Sequence, residues 1–381
     1  MKIGIEGQRL YRKKKHGMDM VALELIKNLQ VIDKKNEYVV FVKPDEDNTC
    51  IPAAPNFKVV KLGGGPYPTW EQFALPRAAK AEGCDILHCT SNTGPIRSSV
   101  PLITILHDII YLESVSIFKK AGTWYQKLGN MYRRWVVPPV VKRSKRVVTV
   151  SNFEKNRIKN FMGLGDNLVA IYNGVGEHFK KIEDENLLKA AKEKYQLPDN
   201  FMFFLGNTDP KKNTPNVLKA FADFNAQSQV KYKLVMLDYD ETALQKILNE
   251  IGHPDLRSDI YLTGYVVNTD LPAIINQCTV FLYPSLRESF GIPILEGMAC
   301  GVPVVTSNTS SMPEIAGDAA AIVDPHKPEE ITEAIIKILA NEDYKAMLCE
   351  KGIENAKKFS WRKMAERNVA LYEEVYNELN S

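Results

Sequence analysis

The stretch that decides the fold is Tyr283-Pro-Ser-Leu-Arg-Glu-Ser-Phe-Gly-Ile-Pro-Ile-Leu-Glu-Gly-Met-Ala-Cys-Gly-Val-Pro-Val-Val-Thr306. It is bounded by two runs of β-branched and aromatic residues, 279–283 and 304–306, which are typical of buried strands. Between the runs, Pro293 suits the start of a helix, and Gly301 suits the left-handed residue that ends one. The stretch therefore predicts a strand, a turn, a short helix and a second strand.

The predicted helix start has the chemistry of an anion-binding site. A helix that begins near Phe290-Gly291-Ile292 presents N–H groups without partners inside the helix, and its dipole favours an anion such as a diphosphate. Glu288 precedes the turn and Glu296 lies in the first turn or so of the helix. Carboxylates accept hydrogen bonds from sugar hydroxyls, which indicates a sugar-nucleotide site. The alternative for either glutamate is simple complementation of the helix dipole.

This segment resembles the Glu-x7-Glu signature of glycosyltransferase family 4, whose members are retaining enzymes of the GT-B fold. The resemblance continues through residues 262–266 and 307–317 and covers nearly the whole chain. It implies an α/β fold of two Rossmann-like, doubly wound parallel-sheet domains that face a central cleft. It implies that one glutamate holds the transferred sugar and the other the ribose. The implied donor-binding residues of this segment are Glu288, Ser289, Phe290, Gly291, Ile292 and Glu296.

A second stretch, Phe203-Phe-Leu-Gly-Asn-Thr-Asp-Pro-Lys-Lys-Asn-Thr-Pro215, predicts a strand, a loop and a helix capped by Thr214. Lys212 lies in the loop, where a fixed ammonium can neutralise phosphate charge; a solvated loop lysine is the alternative. The stretch resembles the family's Gly-x-x-x-Pro-Arg/Lys-Lys-Asn loop, which implies that Lys212 binds the donor diphosphate. Asn207 replaces an arginine that many members carry, so more of the diphosphate binding is expected from the amides near Gly291.

Two features of the amino-terminal half extend the resemblance. Thr104-Ile-Leu-His-Asp108 predicts a buried strand with His107 and Asp108 at its carboxyl edge. A lone histidine is often only structural, but the family's His-Asp motif implies that the pair positions the transferred sugar and the acceptor. His16-Gly17-Met18 precedes the first long helix and resembles the family's Gly-rich turn, which implies donor binding by Gly17.

The whole chain alternates strand-like apolar runs with amphipathic helical ones, the pattern of parallel sheets with crossover helices. Its 381 residues suffice for two domains. A turn-like segment at 171–175 predicts an acceptor-binding domain over 1–175 and a sugar-nucleotide-binding domain over 176–360, with the helix of 361–381 completing the first. Strands are expected at 2–6, 38–42, 58–61, 86–89, 102–106, 146–150, 201–205, 233–237, 260–262, 280–283 and 304–306.

The net charge of +3 hides an asymmetry between the halves. Residues 1–175 contain 27 Lys and Arg against 15 Asp and Glu, a balance of +12, whereas residues 176–381 contain 22 against 31, a balance of −9. A basic half attracts anionic lipid, a phosphorylated acceptor or nucleic acid. Nucleic acid is not expected as a partner, because no recognition motif accompanies the charge.

The stretch 124–146 interleaves aromatic and basic residues. It predicts either docking on an anionic membrane surface or a core helix with a solvated basic face. No apolar run approaches the roughly 20 residues that span a bilayer, and residues 1–6 look like a first strand rather than a secretory signal. The six cysteines show no C-x-x-C pairing. We expect a cytoplasmic protein, with peripheral attachment to the inner face of the membrane as one option.

The resemblance implies transfer of a hexose of the mannose, glucose or galactose type from a GDP- or UDP-sugar to a hydroxyl of a glycan or lipid-linked acceptor. Anomeric configuration would be retained, with His107, Lys212 and Glu288 as catalytic residues. No cofactor or metal is expected; Asp238-Tyr-Asp240 matches a metal-binding Asp-x-Asp signature but follows a predicted strand as an ordinary turn. Two alternatives stay open, a sugar-nucleotide epimerase of the same architecture and a non-catalytic partner subunit.

Overall fold

The computed structural model describes residues 1–63, 65–113 and 124–381. These residues form two compact units. Unit 1 comprises Met1–Asn173 and Trp361–Ser381, and unit 2 comprises Gly174–Ser360. Each unit is built on one sheet in which every strand pair is parallel. Since parallel neighbours need crossover connections, helices separate the strands along the chain in both units.

Unit 1 has a seven-stranded sheet among its described residues, in the order β3-β2-β1-β4-β5-β6-β7. The strands are β1 (Lys2–Glu6), β2 (Glu37–Val42), β3 (Phe57–Lys61), β4 (Ile86–Cys89), β5 (Leu102–Ile105), β6 (Arg146–Thr149) and β7 (Leu168–Ala170). The helices are α1 (Gly17–Ile32), α2 (Tyr67–Thr69), α3 (Leu75–Ala81), α4 (Ile110–Glu113), α5 (Trp124–Arg143), α6 (Asn152–Met162) and α15 (Trp361–Asn380), and a π-helical turn (Trp70–Ala74) joins α2 to α3.

Helix α15 packs in unit 1 although it follows unit 2 in the chain. It lies against α1. Its Tyr372 hydroxyl is 2.6 Å from Nδ1 of His88 in the buried strand β4. Arg146 at the start of β6 pairs with Glu374 and Glu378 on the exposed side of the helix. A buried polar contact and an ion-pair cluster therefore fix the returning helix on this sheet.

Unit 2 has a six-stranded sheet in the order β10-β9-β8-β11-β12-β13. The strands are β8 (Phe201–Phe204), β9 (Lys233–Met236), β10 (Ile260–Leu262), β11 (Phe281–Tyr283), β12 (Val304–Ser307) and β13 (Ala321–Val323). The helices are α7 (Glu185–Tyr195), α8 (Thr214–Gln227), α9 (Glu241–Glu250), α10 (Leu271–Ile275), α11 (Ile292–Ala299), α12 (Met312–Ala316), α13 (Pro328–Ala340) and α14 (Glu342–Ala356), with 3₁₀ turns at Pro210–Lys212 and Pro254–Asp259.

Every strand predicted from the sequence is present, with bounds that differ by no more than one residue. The sequence missed β7 and β13, three-residue edge strands too short to show a period. The predicted cap of α8 is wrong. Asn213, with a left-handed φ of 63°, precedes the helix, and Thr214 is its first residue. Asparagine tolerates this backbone conformation better than other non-glycine residues, which explains why the helix is entered there.

Candidate functional site

Helix α11 begins directly after Gly291, as the sequence predicted. The φ of Gly291 is 103°, in the left-handed region, and a Cβ at this position would lie 3.0 Å from Ile294 Cδ1. Backbone conformation and packing therefore both favour glycine. Phe290 is buried, and Ile292 occupies the first helical position, where an N–H has no partner inside the helix. The predicted turn thus presents backbone amides at a helix start.

Lys212 and Glu288 are joined by a short, largely buried ion pair in unit 2. Lys212 Nζ lies 2.7 Å from Glu288 Oε1 and 2.6 Å from the Tyr283 hydroxyl. The two charged side chains are only 14% and 13% exposed. Burial, followed by the charge of Glu288, raises the pKa of Tyr283 well above its usual range, so its hydroxyl is neutral. These two contacts use two of the three ammonium donors of Lys212.

Polar contacts tie the Lys212 loop to the loop between β11 and α11. Leu286 N donates to Lys211 O at 2.7 Å. Asn213 is buried, and its Nδ2 donates to Pro284 O at 3.0 Å and Pro325 O at 2.6 Å. The two stretches quoted from the sequence are therefore one unit of structure. Sequence reasoning assigned no role to Asn213, because its partners lie about 70 and 110 residues away.

Hydroxyl side chains at the end of β12 and just after it contact the end of β11 and the same loop. Thr306 Oγ1 donates to Tyr283 O at 3.0 Å, and Thr309 Oγ1 donates to Leu286 O at 3.1 Å. Ser307 Oγ donates to a third carbonyl of the loop. These bonds give the carbonyls hydrogen-bond partners and connect the loop to β12 and the residues after it.

Two further serines form hydrogen bonds with the backbone of Glu288. Ser310 Oγ accepts from Glu288 N at 3.0 Å, and Ser311 Oγ contacts the carbonyls of Glu288 and Phe290, each at 2.9 Å. Ser310 has a left-handed φ of 51°, an uncommon conformation for a residue with a side chain. Sequence reasoning missed this role, although a run of hydroxyl residues directly after a buried strand is a usable signal.

Glu296 lies on α11, in the same unit, and is partly buried. Desolvation raises its pKa to about 7, and the charge of Lys212 acts in the opposite direction. The dipole effect is confined to the first turn and would lower the pKa of a carboxyl group. Glu296 is the fifth residue of α11 and lies past that turn, so simple complementation of the dipole is a poor account of it.

His107 lies in unit 1 and is buried. Its backbone N donates to Asn92 Oδ1 at 2.6 Å, and its Nε2 lies 3.0 Å from Thr90 O. A carbonyl can only accept, so Nε2 carries a proton. Burial lowers the pKa of His107, so the ring is neutral at pH 7 and Nδ1 is an acceptor.

Asp108 and Gly17 are the other predicted site residues of unit 1, and each lies at the start of a helix. Asp108 Oδ1 accepts from Ile110 N at 3.1 Å, at the start of α4. Gly17 is exposed at the start of α1, and a Cβ there would meet no described atom within 4 Å. Packing therefore gives no reason for glycine at position 17. Met18 connects this helix start to the His107 region, since Asn92 Nδ2 lies 3.5 Å from its sulfur.

The Asp-x-Asp pattern has a structural explanation. Asp240 Oδ1 accepts from Ala243 N at 2.7 Å and so caps α9, and Asp238 N donates to Gly264 O at 3.1 Å. Across residues 1–63, 65–113 and 124–381, no three His, Cys, Asp or Glu side chains cluster in a way that could hold a metal ion.

The site residues that the structure brings together in unit 2 are Lys212, Glu288, Ser289, Phe290, Gly291, Ile292 and Glu296; Gly17, His107 and Asp108 lie in unit 1.

Comparison with known proteins gives consistent matches for both units. Residues 187–359 match the family model for glycosyl transferases group 1, and residues 16–178 match that for glycosyltransferase family 4. The O-antigen chain mannosyltransferase B of Escherichia coli is 29% identical over 71% of this chain and 69% of its own length. The serotype-specific mannosyltransferase WbdA of Escherichia coli is 31% identical over 59% of this chain, but the chain spans only 28% of that protein.

The structure is also similar to that of sucrose-phosphate synthase from Thermosynechococcus elongatus. The TM-score is 0.76 at 17% sequence identity, and the match covers 99% of each chain. This similarity confirms the predicted GT-B fold. The two family matches, which together cover most of the chain, show that it is a glycosyltransferase and belongs to glycosyltransferase family 4, group 1.

Proposed function

We propose that this glycosyltransferase moves a mannose-type hexose from a GDP- or UDP-sugar to a hydroxyl of a glycan or lipid-linked acceptor, with retained anomeric configuration. The observation that carries the proposal is the buried contact of Lys212 with Glu288 and Tyr283, in which Glu288 belongs to the loop that leads into α11. The names of the two mannosyltransferase relatives support the choice of mannose.

The donor diphosphate binds to the first amides of α11 and to Lys212. A helix start attracts anions through its orphan N–H groups and its dipole. Lys212 keeps one ammonium donor for a phosphate oxygen while Glu288 and Tyr283 fix its position. As the bond to the sugar breaks, negative charge grows on the leaving phosphate, and a preorganised ammonium stabilises it.

The two glutamates bind the sugars on either side of the diphosphate. Glu288 Oε1 already accepts from Lys212, and a carboxylate has about four acceptor positions, which leaves room for sugar hydroxyls. Glu296 binds the ribose hydroxyls in its ionised form. Because its pKa is about 7, donor binding and loss of the Glu296 proton are coupled.

Retention follows from a front-face reaction. The acceptor oxygen forms a bond to the anomeric carbon as the bond from that carbon to the diphosphate oxygen breaks. The acceptor proton passes to the leaving phosphate oxygen. Glu288 is held in an ion pair, which disfavours its use as a nucleophile in a double displacement. Neutral His107 accepts a hydrogen bond at Nδ1 from a hydroxyl of the sugar or the acceptor.

Lys212→Ala is the test of this assignment, with Lys211→Ala as the matched control. Lys211 is adjacent and more exposed, and its ammonium lies 3.7 Å from a carboxylate oxygen of Asp209. With GDP-mannose, UDP-glucose and UDP-galactose as donors, we expect Lys212→Ala to lower the rate of transfer about 10²–10³-fold and Lys211→Ala to change it little. Equal rates for Lys212→Ala and the wild type would overturn the assignment. A changed nucleotide sugar without acceptor would instead indicate an epimerase.

We further propose that α5 attaches unit 1 to an anionic lipid surface. Leu128, Met131 and Trp135 are 57–67% exposed, and their spacing puts them on one helix face. Lys142 and Arg143 are exposed at the end of the helix. The side chains of residues 124–127 lie outside the described residues. The middle of this helix thus exposes three apolar side chains beside the half-exposed Arg133 and Arg134. Exposed apolar residues next to basic ones support membrane docking over a solvated basic face.

A vesicle-binding assay distinguishes membrane docking by α5 from a helix whose basic face is simply solvated. We expect Met131→Ser with Trp135→Ser to weaken binding to phosphatidylglycerol vesicles at least tenfold, because each residue loses apolar area that the lipid would bury. Phe161→Ser, at another exposed apolar residue of unit 1, is the control. Unchanged binding of the double variant, or equal binding to neutral phosphatidylcholine vesicles, would contradict the proposal. Within the described ranges, no helix combines the length and apolarity needed to cross a bilayer.

A further inference from the structure

The order of strands in unit 1 reverses between β1 and β4. From β1 the chain adds β2 and β3 on one side, and it then returns to place β4 on the other side. In open parallel sheets, ligands bind outside the carboxyl ends of the strands at such a point. The residues that follow β1 and β4 are therefore the first place in unit 1 to look for ligand contacts.

These two strand ends are firmly connected. Glu6, the last residue of β1, is buried, and its carboxylate accepts from Thr90 Oγ1 at 3.0 Å and Gln8 N at 2.9 Å. Buried Glu71 accepts from Tyr67 at 2.6 Å and from the hydroxyl of Thr93. The backbone after both strands is thus held by internal hydrogen bonds, which preorganises the side chains that it carries.

Two polar groups at this edge lack hydrogen-bond partners among the described residues. Gln8 is 7% exposed, and its Oε1 is a buried acceptor with no partner. The next residue, Arg9, has a buried Nε with no partner, and its guanidinium lies 5.0 Å from the centroid of the Tyr67 ring. Since buried polar groups are nearly always paired, an acceptor and a donor left over in consecutive residues indicate an outside partner.

The surrounding charge selects the partner. Burial acts to lower the pKa of Arg9, but its interactions with Tyr67 and with the carboxyl groups of Glu6, Asp19 and Glu71 outweigh burial and raise it. Carboxylates therefore outnumber the cation, and they disfavour a further anion such as a phosphate. A neutral sugar brings hydroxyls that both donate and accept, which matches the two unpartnered groups.

We propose that Arg9, with Gln8 beside it, binds hydroxyls of a neutral sugar of the acceptor. This inference rests on the proposed function, in which unit 1 binds the acceptor. It assigns a substrate class to that unit, namely a glycan whose contacting residue carries no phosphate or carboxylate. The planar guanidinium lies over the Tyr67 ring and presents its Nε–H in a fixed direction, which a lysine cannot reproduce.

The test is saturation-transfer NMR titration of the full chain with methyl α-mannopyranoside, a neutral probe, and mannose 6-phosphate, an anionic one. The variants are Arg9→Lys and Gln8→Met, and the control is Arg12→Ala, which removes a charge from the same loop. Binding of GDP and UDP is measured in parallel. If the wild type binds neither GDP nor UDP, that result contradicts the proposed function rather than this inference.

We expect the wild type to prefer methyl α-mannopyranoside, Arg9→Lys to weaken its binding at least tenfold, and Arg12→Ala to leave it unchanged. Gln8→Met should weaken the neutral probe a few-fold and raise the melting temperature, because it removes a buried unpaired acceptor. The inference is wrong if Arg9→Lys binds as well as the wild type, if mannose 6-phosphate binds more tightly through Arg9, or if the wild type binds neither sugar while it still binds a nucleotide.

Discussion

The polar residues of unit 2 and unit 1 are organised in opposite ways. In unit 2, Lys212 and Glu288 pair with each other, and the two loops that carry them are bonded to each other and to Ser311. In unit 1, the carboxylates of Glu6 and Glu71 accept hydrogen bonds, yet Gln8 and Arg9 each keep a buried side-chain atom that has no partner in the described part of the chain. This difference fits our two proposals, in which unit 2 holds one charged ligand in fixed geometry and unit 1 binds neutral hydroxyls.

The largest expected effect is on the ion pair. Lys212→Met leaves the Glu288 carboxylate largely buried without its cation, and we expect a loss of about 3 kcal/mol in the free energy of unfolding, measured by urea denaturation. Adding Glu288→Gln should restore part of that loss, because the stranded charge is removed. A double variant no more stable than Lys212→Met would show that the pair does not stabilise unit 2.

His107 tests the other unit. His107→Phe keeps an aromatic ring but removes both nitrogen atoms, and we expect a fall of about 10²-fold in transfer with no change in donor affinity. His107→Gln should recover part of the activity if an acceptor atom at this position is what matters. Weaker donor binding by both variants would assign His107 to the donor instead.

A substitution at Ser311 tests whether transfer depends on fixing the loop that carries Glu288. Ser311→Ala removes the hydroxyl that contacts the carbonyls of Glu288 and Phe290, and we expect about a tenfold loss of transfer with a smaller change in stability. Ser258→Ala, at an exposed serine of the same unit, is the control. Full activity of Ser311→Ala would mean that the loop is held well enough by its other contacts.

The smallest expected effect is the pH dependence set by Glu296. The raised pKa of about 7 means that Glu296 loses its proton only as the pH rises through 7, so binding that needs the carboxylate strengthens in that direction. We expect donor affinity to fall about fivefold from pH 7.5 to 6, measured by calorimetry with a nucleotide sugar. The donor affinity of Glu296→Gln should not change with pH over this range. If this variant shows the same pH dependence as the wild type, Glu296 does not bind the donor.

Most of the fold follows from local patterns. Apolar runs separated by amphipathic helices identified all strands except β7 and β13, which are short and lie at sheet edges. Gly291 and Lys212 were also accessible, because the turn and helix that surround them have strong local signals. The GT-B fold itself came from the family resemblance together with the alternation of elements.

The rest depends on long-range contacts. Asn213 reaches carbonyls about 70 and 110 residues away, and the hydroxyls after β12 reach a loop about 22 residues earlier. Arg9 meets Tyr67 only because the chain brings the loop after β1 next to α2. No local periodicity reports such pairings. The N-cap of α8 was also predicted wrongly, since Asn213 occupies the position that local propensity assigns to Thr214.

Proton NMR of the reaction mixture tests the central claim most directly. Purified protein is incubated with GDP-mannose and methyl α-mannopyranoside, and the anomeric protons of donor and product are followed over time, in parallel with Lys212→Ala. We predict an α-linked disaccharide that appears as the donor disappears and whose formation slows about 10²-fold or more in the variant. A β-linked product, an altered nucleotide sugar without acceptor, or equal rates for the two proteins would contradict the account.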